Sequence, residues 1–295
     1  MLKELAIITI SVSNLSTVQD AYKDYLGYET VESGVISDAL ADLWQAPAMA
    51  GRDYVVMKPA KMTPVYLRFV DNEPVEGYGP TKTQGWNAFE LVVKSPDALV
   101  LHLENSPFKV LGQPKDLYPF EGAPRVMQVT GPANEVIYLT RPGSGEKTSS
   151  YGDTFVGRSF IVVTGGPDIE SQRNYWSSTF NSSVAPTQNY KITTISKLND
   201  LPLDTEYGLS IVPIEGGSII ELDGYKKGWP ERTITEGFLP PGMAAVSFTI
   251  QSFAEFNGEW VSKPRPIQEF PYNGASTGLT IGPNGEWIEL IEITP

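Results

Sequence analysis

Four apolar segments of this chain each carry one polar side chain near the middle of the segment. These four residues are Arg68, Tyr138, Glu221 and Glu289, and each has aliphatic or aromatic residues directly before and after it. An ionisable group on a buried strand loses its hydration, which shifts its pKa and suits it to acid–base chemistry. The first candidates for chemistry are therefore these four positions and the residues that share their strand faces.

The first half of the chain offers one group of three candidate catalytic residues, Arg68, Tyr138 and Glu90. Glu90 lies two residues after Ala88 and therefore on the same face of its predicted strand. A carboxylate, a phenol and a guanidinium that face one cavity could act as a general base and two oxyanion stabilisers. The alternative is a structural ion pair between Arg68 and Glu90 that fills an inactive cavity.

The second half offers a second candidate site, formed by Arg158, Glu221, Glu289 and Ser247. One arginine between two carboxylates can satisfy its own charges, so the alternative here is a buried structural network.

An internal repeat positions these residues. The polar residues lie on closing strands, and an opening strand precedes each of them: 6–12, 87–93, 157–163 and 244–250. Val12 and Val163 are 151 positions apart, and so are Ile137 and Ile288. Four copies of one pattern at this spacing predict four copies of one structural module and a duplicated chain.

Each module is predicted to be a βαβββ unit. In the first, a strand over 5–12 is followed by apolar residues at helical spacing over 17–26, and Gly27 ends the helix. The predicted fold is α+β, with two domains each of paired modules that form a cupped, partly closed mixed sheet. The domains are expected at 1–142 and 154–295, joined by a linker over 143–153.

These motifs resemble the vicinal oxygen chelate superfamily, which includes glyoxalase, the bleomycin-resistance proteins and the extradiol dioxygenases. The resemblance is carried by residues 12–15, Tyr22, residues 26–28, and the Gly-Pro-Asn-Gly turn at 282–285 before Ile-Glu-Leu at 288–290. It covers essentially the whole chain, and the layout of four modules is most similar to the dioxygenases. A shared fold leaves the function open.

The resemblance also implies where a metal would bind: at the first residue of an opening strand and at the middle residue of a closing strand. The opening positions are Ile7, Ala88, Arg158 and Ala245, and the closing positions are Arg68, Tyr138, Glu221 and Glu289. None is a histidine, so these residues do not form the imidazole and carboxylate set that a divalent metal needs. No metal and no cofactor is expected, and the family's metal-dependent activities are not inherited.

Composition narrows the functions further. The formal net charge is −13 over 295 residues, which argues against nucleic acid as a partner. There are no cysteines, and the single histidine, His102, lies in a predicted helix away from the sheet positions. Neither a signal peptide nor a membrane span is indicated, so the cytoplasm is the expected location. A homo-oligomer is left open.

Aromatic side chains cluster in the first module and at its junction with the second. Trp44, Tyr66 and Trp86, together with Thr9, are predicted to bind a small apolar or aromatic molecule, although such residues can equally form the core. Two functions remain. One is a metal-independent lyase or isomerase that moves a proton on a small aromatic or polycyclic carbonyl compound. The other is a binding protein that sequesters an apolar ligand.

Overall fold

The computed structural model describes residues 2–144 and 155–293. The predicted linker over 143–153 lies almost entirely outside these residues. No helix in the described ranges is long and apolar enough to cross a membrane.

The described residues form sixteen strands and five α-helices. The strands are β1 (Leu2–Val12), β2 (Tyr28–Val35), β3 (Asp53–Pro59), β4 (Tyr66–Asp71), β5 (Gly85–Val93), β6 (Lys109–Asp116), β7 (Arg125–Thr130), β8 (Val136–Arg141), β9 (Val156–Gly166), β10 (Gln188–Lys191), β11 (Glu206–Pro213), β12 (Ile219–Gly224), β13 (Met243–Ile250), β14 (Ser262–Pro266), β15 (Ser276–Ile281) and β16 (Trp287–Glu292). The helices are α1 (Leu15–Leu26), α2 (Asp38–Leu43), α3 (Pro96–His102), α4 (Ile169–Phe180) and α5 (Thr193–Leu198).

Helix α1 shows how the module pattern becomes structure. The Asn14 side chain accepts a hydrogen bond from the Thr17 amide, which satisfies one of the free N–H groups of the first turn. Gly27 ends the helix at φ 68°, a conformation that glycine adopts without the strain of a Cβ atom. In the fourth module a single 3₁₀ turn, Phe253–Glu255, stands in place of this helix.

The strands form two mixed sheets of eight strands each. Sheet A has the order β14-β15-β16-β13-β1-β4-β3-β2, and sheet B has the order β10-β11-β12-β9-β5-β8-β7-β6. The α+β prediction, with paired modules that form cupped sheets, is confirmed.

The grouping of the modules needs a correction. Sheet A joins the first module to the fourth, and sheet B joins the second to the third, so neither sheet coincides with residues 1–142 or 154–295. The pairings are antiparallel and join opening strands, β1 with β13 and β5 with β9. Each opening strand has an edge that must find a partner, and the repeated pattern does not say which of the similar edges that partner is.

Two buried glutamates tie the sheets together. Glu135, in the turn before β8, accepts a hydrogen bond from the Tyr22 hydroxyl of α1 at 2.7 Å. Glu286, in the turn before β16, accepts one from the Thr164 hydroxyl of β9 at 2.5 Å. The two carboxylates are 151 positions apart, so the repeat places a buried acceptor at the same turn on both sides of the junction, although the donors differ. Burial raises the pKa of Glu135 to about 7, because its charged form is poorly solvated there.

Candidate functional site

The polar cluster of sheet A is centred on Arg68 and Glu289. Their side chains are 1% and 0% exposed, and Arg68 Nη2 lies 3.3 Å from Glu289 Oε1. The Thr9 hydroxyl accepts hydrogen bonds from Arg68 Nε at 3.1 Å and Nη2 at 2.8 Å. Strand register explains this arrangement, because Thr9 is directly opposite Arg68 and Ser247 is directly opposite Glu289.

The carboxylate of Glu289 is saturated with donors. Besides Arg68, it accepts hydrogen bonds from Trp44 Nε1, from the Ser247 hydroxyl, and from the Tyr272 hydroxyl at 2.8 Å. The guanidinium lies over the rings of Trp44 and Tyr272, 4.8 and 5.3 Å from their centroids. Side chains from four elements, β1, the end of α2, β13 and the loop that contains Tyr272, thus enclose one buried ion pair. Arg68 Nη1 is buried without a hydrogen-bond partner in the described ranges.

Sheet B contains an open pocket of about 420 Å³. Its polar lining includes Glu90, Tyr138, Glu221, Gln128 and Thr194. This volume is in the range that small-molecule sites occupy.

Strand register positions the acidic groups of the pocket. Glu90 on β5 is directly opposite Tyr138 on the neighbouring β8, and Glu221 on β12 is directly opposite Val163 on β9. Val163 in turn is opposite Ala88, two residues before Glu90. Residues of four adjacent strands therefore face the same cavity, because side chains two apart on a strand share a face.

Two carboxyl groups on β12 influence each other. Asp223 is two residues after Glu221 and on the same strand face; it is 1% exposed, and its Oδ1 has no hydrogen-bond partner within the described ranges. Burial, and then the charge of Asp223, raise the pKa of Glu221 well above its ordinary range. Burial raises the pKa of Asp223 to about 8. Both shifts favour the protonated form of the carboxyl groups.

Tyr138 is likewise held in its neutral form. Burial is the main reason that its pKa lies well above the ordinary value, and the nearby carboxylates Asp223, Glu221 and Glu90 add to the shift. A neutral phenol beside a protonated carboxyl gives the pocket two hydrogen-bond donors.

No family model matches the chain, and no curated protein matches it in sequence. Its structure is similar to glyoxalase I from Zea mays, with a TM-score of 0.64 at 12% identity; the match covers 98% of this chain and 92% of the maize one. It is also similar to a Bacillus subtilis protein provisionally named a dioxygenase, with a TM-score of 0.60 at 13% identity, covering 100% of this chain and 86% of the other. At such identities the likeness is one of fold.

The chain has the vicinal oxygen chelate fold. The fold that the sequence motifs predicted is thereby confirmed.

The metal positions of the vicinal oxygen chelate fold can now be compared with the residues present. In sheet A these positions hold Ile7, Ala245, Arg68 and Glu289, and the Arg68 guanidinium already supplies a positive charge beside the carboxylate. In sheet B the metal positions hold Ala88, Tyr138 and Glu221, and none of these residues is a histidine. The described residues contain no group of three or more histidine, cysteine or acidic side chains that could hold a metal ion. The donor set therefore does not fit the divalent metal of the fold.

The crossed pairing of modules divides both predicted sites. Glu90 and Tyr138 face the pocket of sheet B, but Arg68 lies in sheet A, so the three predicted catalytic residues do not converge. Glu221 is in sheet B, whereas Glu289 and Ser247 are in sheet A. The two halves of the chain were assumed to hold one site each, and each sheet instead takes its residues from both halves.

Arg158 is apart from both sites. Its side chain is half-buried, and Nη2 donates to the Gly216 carbonyl at 3.3 Å. Strand β9 extends to Gly166, three residues beyond the predicted end of the opening strand at Val163. The residue of β9 that corresponds to Ile7 is therefore Ile161, and the predicted opening position was three residues too early.

The predicted binding residues lie outside the pocket of sheet B. Thr9 and Trp44 belong to the closed cluster of sheet A, and the Trp86 indole donates to the Trp287 carbonyl at 2.9 Å. Tyr66 packs its ring against Phe270, with centroids 5.1 Å apart. Sequence reasoning did not name Tyr118, Tyr190, Gln128 and Thr194 of the pocket or Tyr272 of the closed cluster as site residues. Tyr118 and Tyr272 lie in loops, and Tyr190 and Thr194 lie in the short elements β10 and α5. Gln128 lies on the repeated strand β7, but not at the closing position that was compared between modules.

Proposed function

We propose that the pocket of sheet B is the active site of a metal-independent lyase or isomerase that moves a proton on a small aromatic or polycyclic carbonyl compound. The observation that carries this proposal is the pairing of an open cavity with acid groups whose pKa values are raised, Glu221 above all. Raised carboxyl pKa values in a cleft are typical of acid–base catalysts.

Three residues carry out the proposed proton transfer. Glu221 and Tyr138, whose raised pKa values favour their protonated forms, donate hydrogen bonds to the carbonyl oxygen of the substrate. Glu90, one strand spacing of about 4.8 Å from Tyr138 along the sheet, takes the proton. A buried acid that stays neutral beside a tyrosine is an established way to stabilise an enolate. Glu221 thus has the role that sequence analysis gave to Arg68.

The proton balance of the step is simple. The bond between hydrogen and the carbon next to the carbonyl breaks, and the proton goes to the Glu90 carboxylate. The electron pair forms a carbon–carbon double bond, and the carbonyl oxygen becomes the negative end of an enolate held by Glu221 and Tyr138. In a substrate with a further double bond beside that carbon, the negative charge is shared with a second carbon, and return of the proton from Glu90 to that carbon completes an isomerisation. In a substrate with a leaving group on the neighbouring carbon, the carbonyl re-forms, the leaving group departs with its bonding electron pair and takes the proton from Glu90, and the reaction is a lyase step.

The test measures hydrogen–deuterium exchange, by NMR in D₂O with a chelator present, at the carbon next to the carbonyl of a panel of aromatic ketones. Glu90→Gln and Glu221→Gln should each lower the exchange rate by about 10²-fold or more. The first removes the base, and the second replaces the acidic O–H donor to the enolate oxygen with a weaker amide donor. The control is Glu32→Gln, the same change at an exposed residue of β2 in sheet A. Exchange that survives both pocket variants would contradict the proposal, and exchange that the chelator abolishes would contradict metal independence.

A second candidate function is sequestration of an apolar ligand. It is favoured by the apolar side chains at the mouth, where Leu117 is 48% exposed and Tyr118 is 44% exposed. A protein of this kind would bind aromatic ketones in calorimetry, and its bound ligands would exchange no protons.

A further inference from the structure

The mouth of the pocket lies where the two edges of sheet B approach each other. Strands β6 and β10 are the outermost strands of the sheet, yet both contribute residues to this one cavity. Lys197 of α5 donates to the Leu111 carbonyl of β6 at 2.8 Å, which joins the two edges. The Tyr190 phenol lies close enough to Tyr118 to raise its pKa, after the larger effect of burial. The sheet is thus curled until its edges meet beside the mouth.

Two lysines flank this meeting point. Lys115 is three residues before Tyr118, and Lys191 directly follows Tyr190, so one lysine stands on each edge. They are the cationic side chains among the described residues that line the pocket, and both are exposed. Within the described part of the chain neither makes an ion pair, whereas the neighbouring Asp116 is held by Arg125 at 3.3 Å.

Two exposed lysines thus stand at the mouth of a pocket in an acidic chain, although Glu206 is directly opposite Lys191. The whole chain has a formal charge of −13, and the polar lining of the pocket includes Glu90, Glu221 and Tyr138 among apolar side chains. An anionic ligand would be repelled by most of the surface and attracted at the mouth, where local charges direct the approach of small ions. The neutral side chains of Glu221 and Tyr138 would then donate hydrogen bonds to an uncharged carbonyl group without repelling it.

We propose that the ligand of this pocket is an aromatic oxo acid, whose carboxylate is held at the mouth by Lys115 and Lys191 and whose carbonyl oxygen reaches Tyr138 and Glu221. This inference rests on the proposed function of the same pocket and adds the substrate class. Lysine suits the task because its ammonium group is a flexible point charge that can follow a carboxylate.

The experiment compares matched ligands that differ only in charge. Phenylpyruvate, 2-oxo-4-phenylbutanoate and 3-benzoylpropanoate, which all carry hydrogen on a carbon next to the ketone, are each titrated against the protein beside their methyl esters. Binding is measured by calorimetry or ligand-observed NMR, at low and high salt. At least one acid should bind about tenfold more tightly than its ester, as two partly exposed ion pairs can provide. Added salt should reduce this preference by screening the charges.

The decisive variant is Lys115→Gln combined with Lys191→Gln, which should abolish the preference for the acid and leave the affinity for the ester unchanged. The matched control, Lys109→Gln with Lys227→Gln, removes the same charge from exposed lysines that do not line the pocket and should keep the preference. Thermal unfolding shows whether each variant is folded.

The inference is overturned if no acid binds more tightly than its ester, or if the pocket variant and the control behave alike. The test of the proposed function has a separate outcome. If the acids bind as expected but Glu90→Gln and Glu221→Gln leave proton exchange unchanged, the ligand class stands and the chemistry does not. If exchange depends on those residues but esters are preferred, the chemistry stands and the ligand class does not.

Discussion

Sheets A and B carry polar groups at the same positions of the same fold, yet one cluster is closed and the other lines an open pocket. In sheet A the closing positions hold opposite charges, Arg68 and Glu289, which pair and draw donors and aromatic rings around them. In sheet B they hold Tyr138 and Glu221, which have no cation between them. Buried groups of opposite charge form an ion pair with further hydrogen-bond partners around it. Buried acidic groups without a counter-ion have raised pKa values, which favours their protonated forms.

The two glutamates make the difference plain. Glu289 is fully buried and accepts hydrogen bonds from four side chains. Glu221 is half-buried, lines the pocket, and receives no hydrogen bond from any residue in the described ranges. We therefore expect residues of the sheet A cluster to govern stability and residues of the sheet B pocket to govern ligand chemistry.

The largest effect is expected from Arg68→Leu. It leaves the Glu289 carboxylate buried without its cation, which should lower the free energy of unfolding by about 3–5 kcal/mol. Urea unfolding measures this, with Arg265→Leu as the control. Arg265 lies in the same sheet with its side chain 37% exposed, 4.0 Å from the Asp42 carboxylate, and it donates to the Asp42 carbonyl at 2.9 Å. The control should cost less than about 1 kcal/mol. Equal losses in the two variants would show that the closed cluster is not the special feature of sheet A.

Asp223→Asn should change how stability depends on pH. The pKa of Asp223 is raised from 3.8 to about 8 in the folded protein, so the folded state binds more protons than the unfolded state between these values. Stability from this group is complete below pH 3.8 and is lost as the pH rises towards about 8. The loss can reach about 1.4 kcal/mol for each pH unit.

The asparagine cannot ionise, so the variant should lose less stability than the wild type between about pH 5 and 8. Unfolding at a series of pH values tests this, and Asp204→Asn at an exposed position is the matched control. Parallel curves for wild type and Asp223→Asn would contradict the assignment of raised carboxyl pKa values to sheet B.

The smallest effects compare one aromatic residue from each sheet. Trp44→Phe keeps a ring beside Arg68 but removes the indole hydrogen bond to the Glu289 carboxylate, and should cost about 1–3 kcal/mol of stability. Tyr118→Phe, at the exposed mouth of the pocket, should change stability by less than about 0.5 kcal/mol. Thermal unfolding of both variants checks the contrast, and it would be lost if Tyr118→Phe proved the more destabilising.

Much of the architecture could be predicted from local pattern. Asn14 and Gly27 mark the ends of α1, and the closing strands were placed by a polar residue between apolar neighbours. The position of β9 was harder, because a strand of valines and threonines leading into Gly165 and Gly166 gives no sharp end. Placing the end of β9 three residues too early is enough to assign the opening position of this strand to Arg158 when it is held by Ile161.

The sequence by itself determined the module, its fourfold repetition, and the absence of imidazole from the metal positions, since these depend on residue type and on spacing along a strand. Only the tertiary structure decided which modules share a sheet. Four opening strands with similar edges can pair in more than one way, and the choice depends on contacts between residues far apart in the chain, such as Leu5 with Phe248 and Phe89 with Val162. Because β1 pairs with β13 and β5 with β9, Arg68 forms an ion pair with Glu289, and Glu90, Tyr138 and Glu221 line one open pocket.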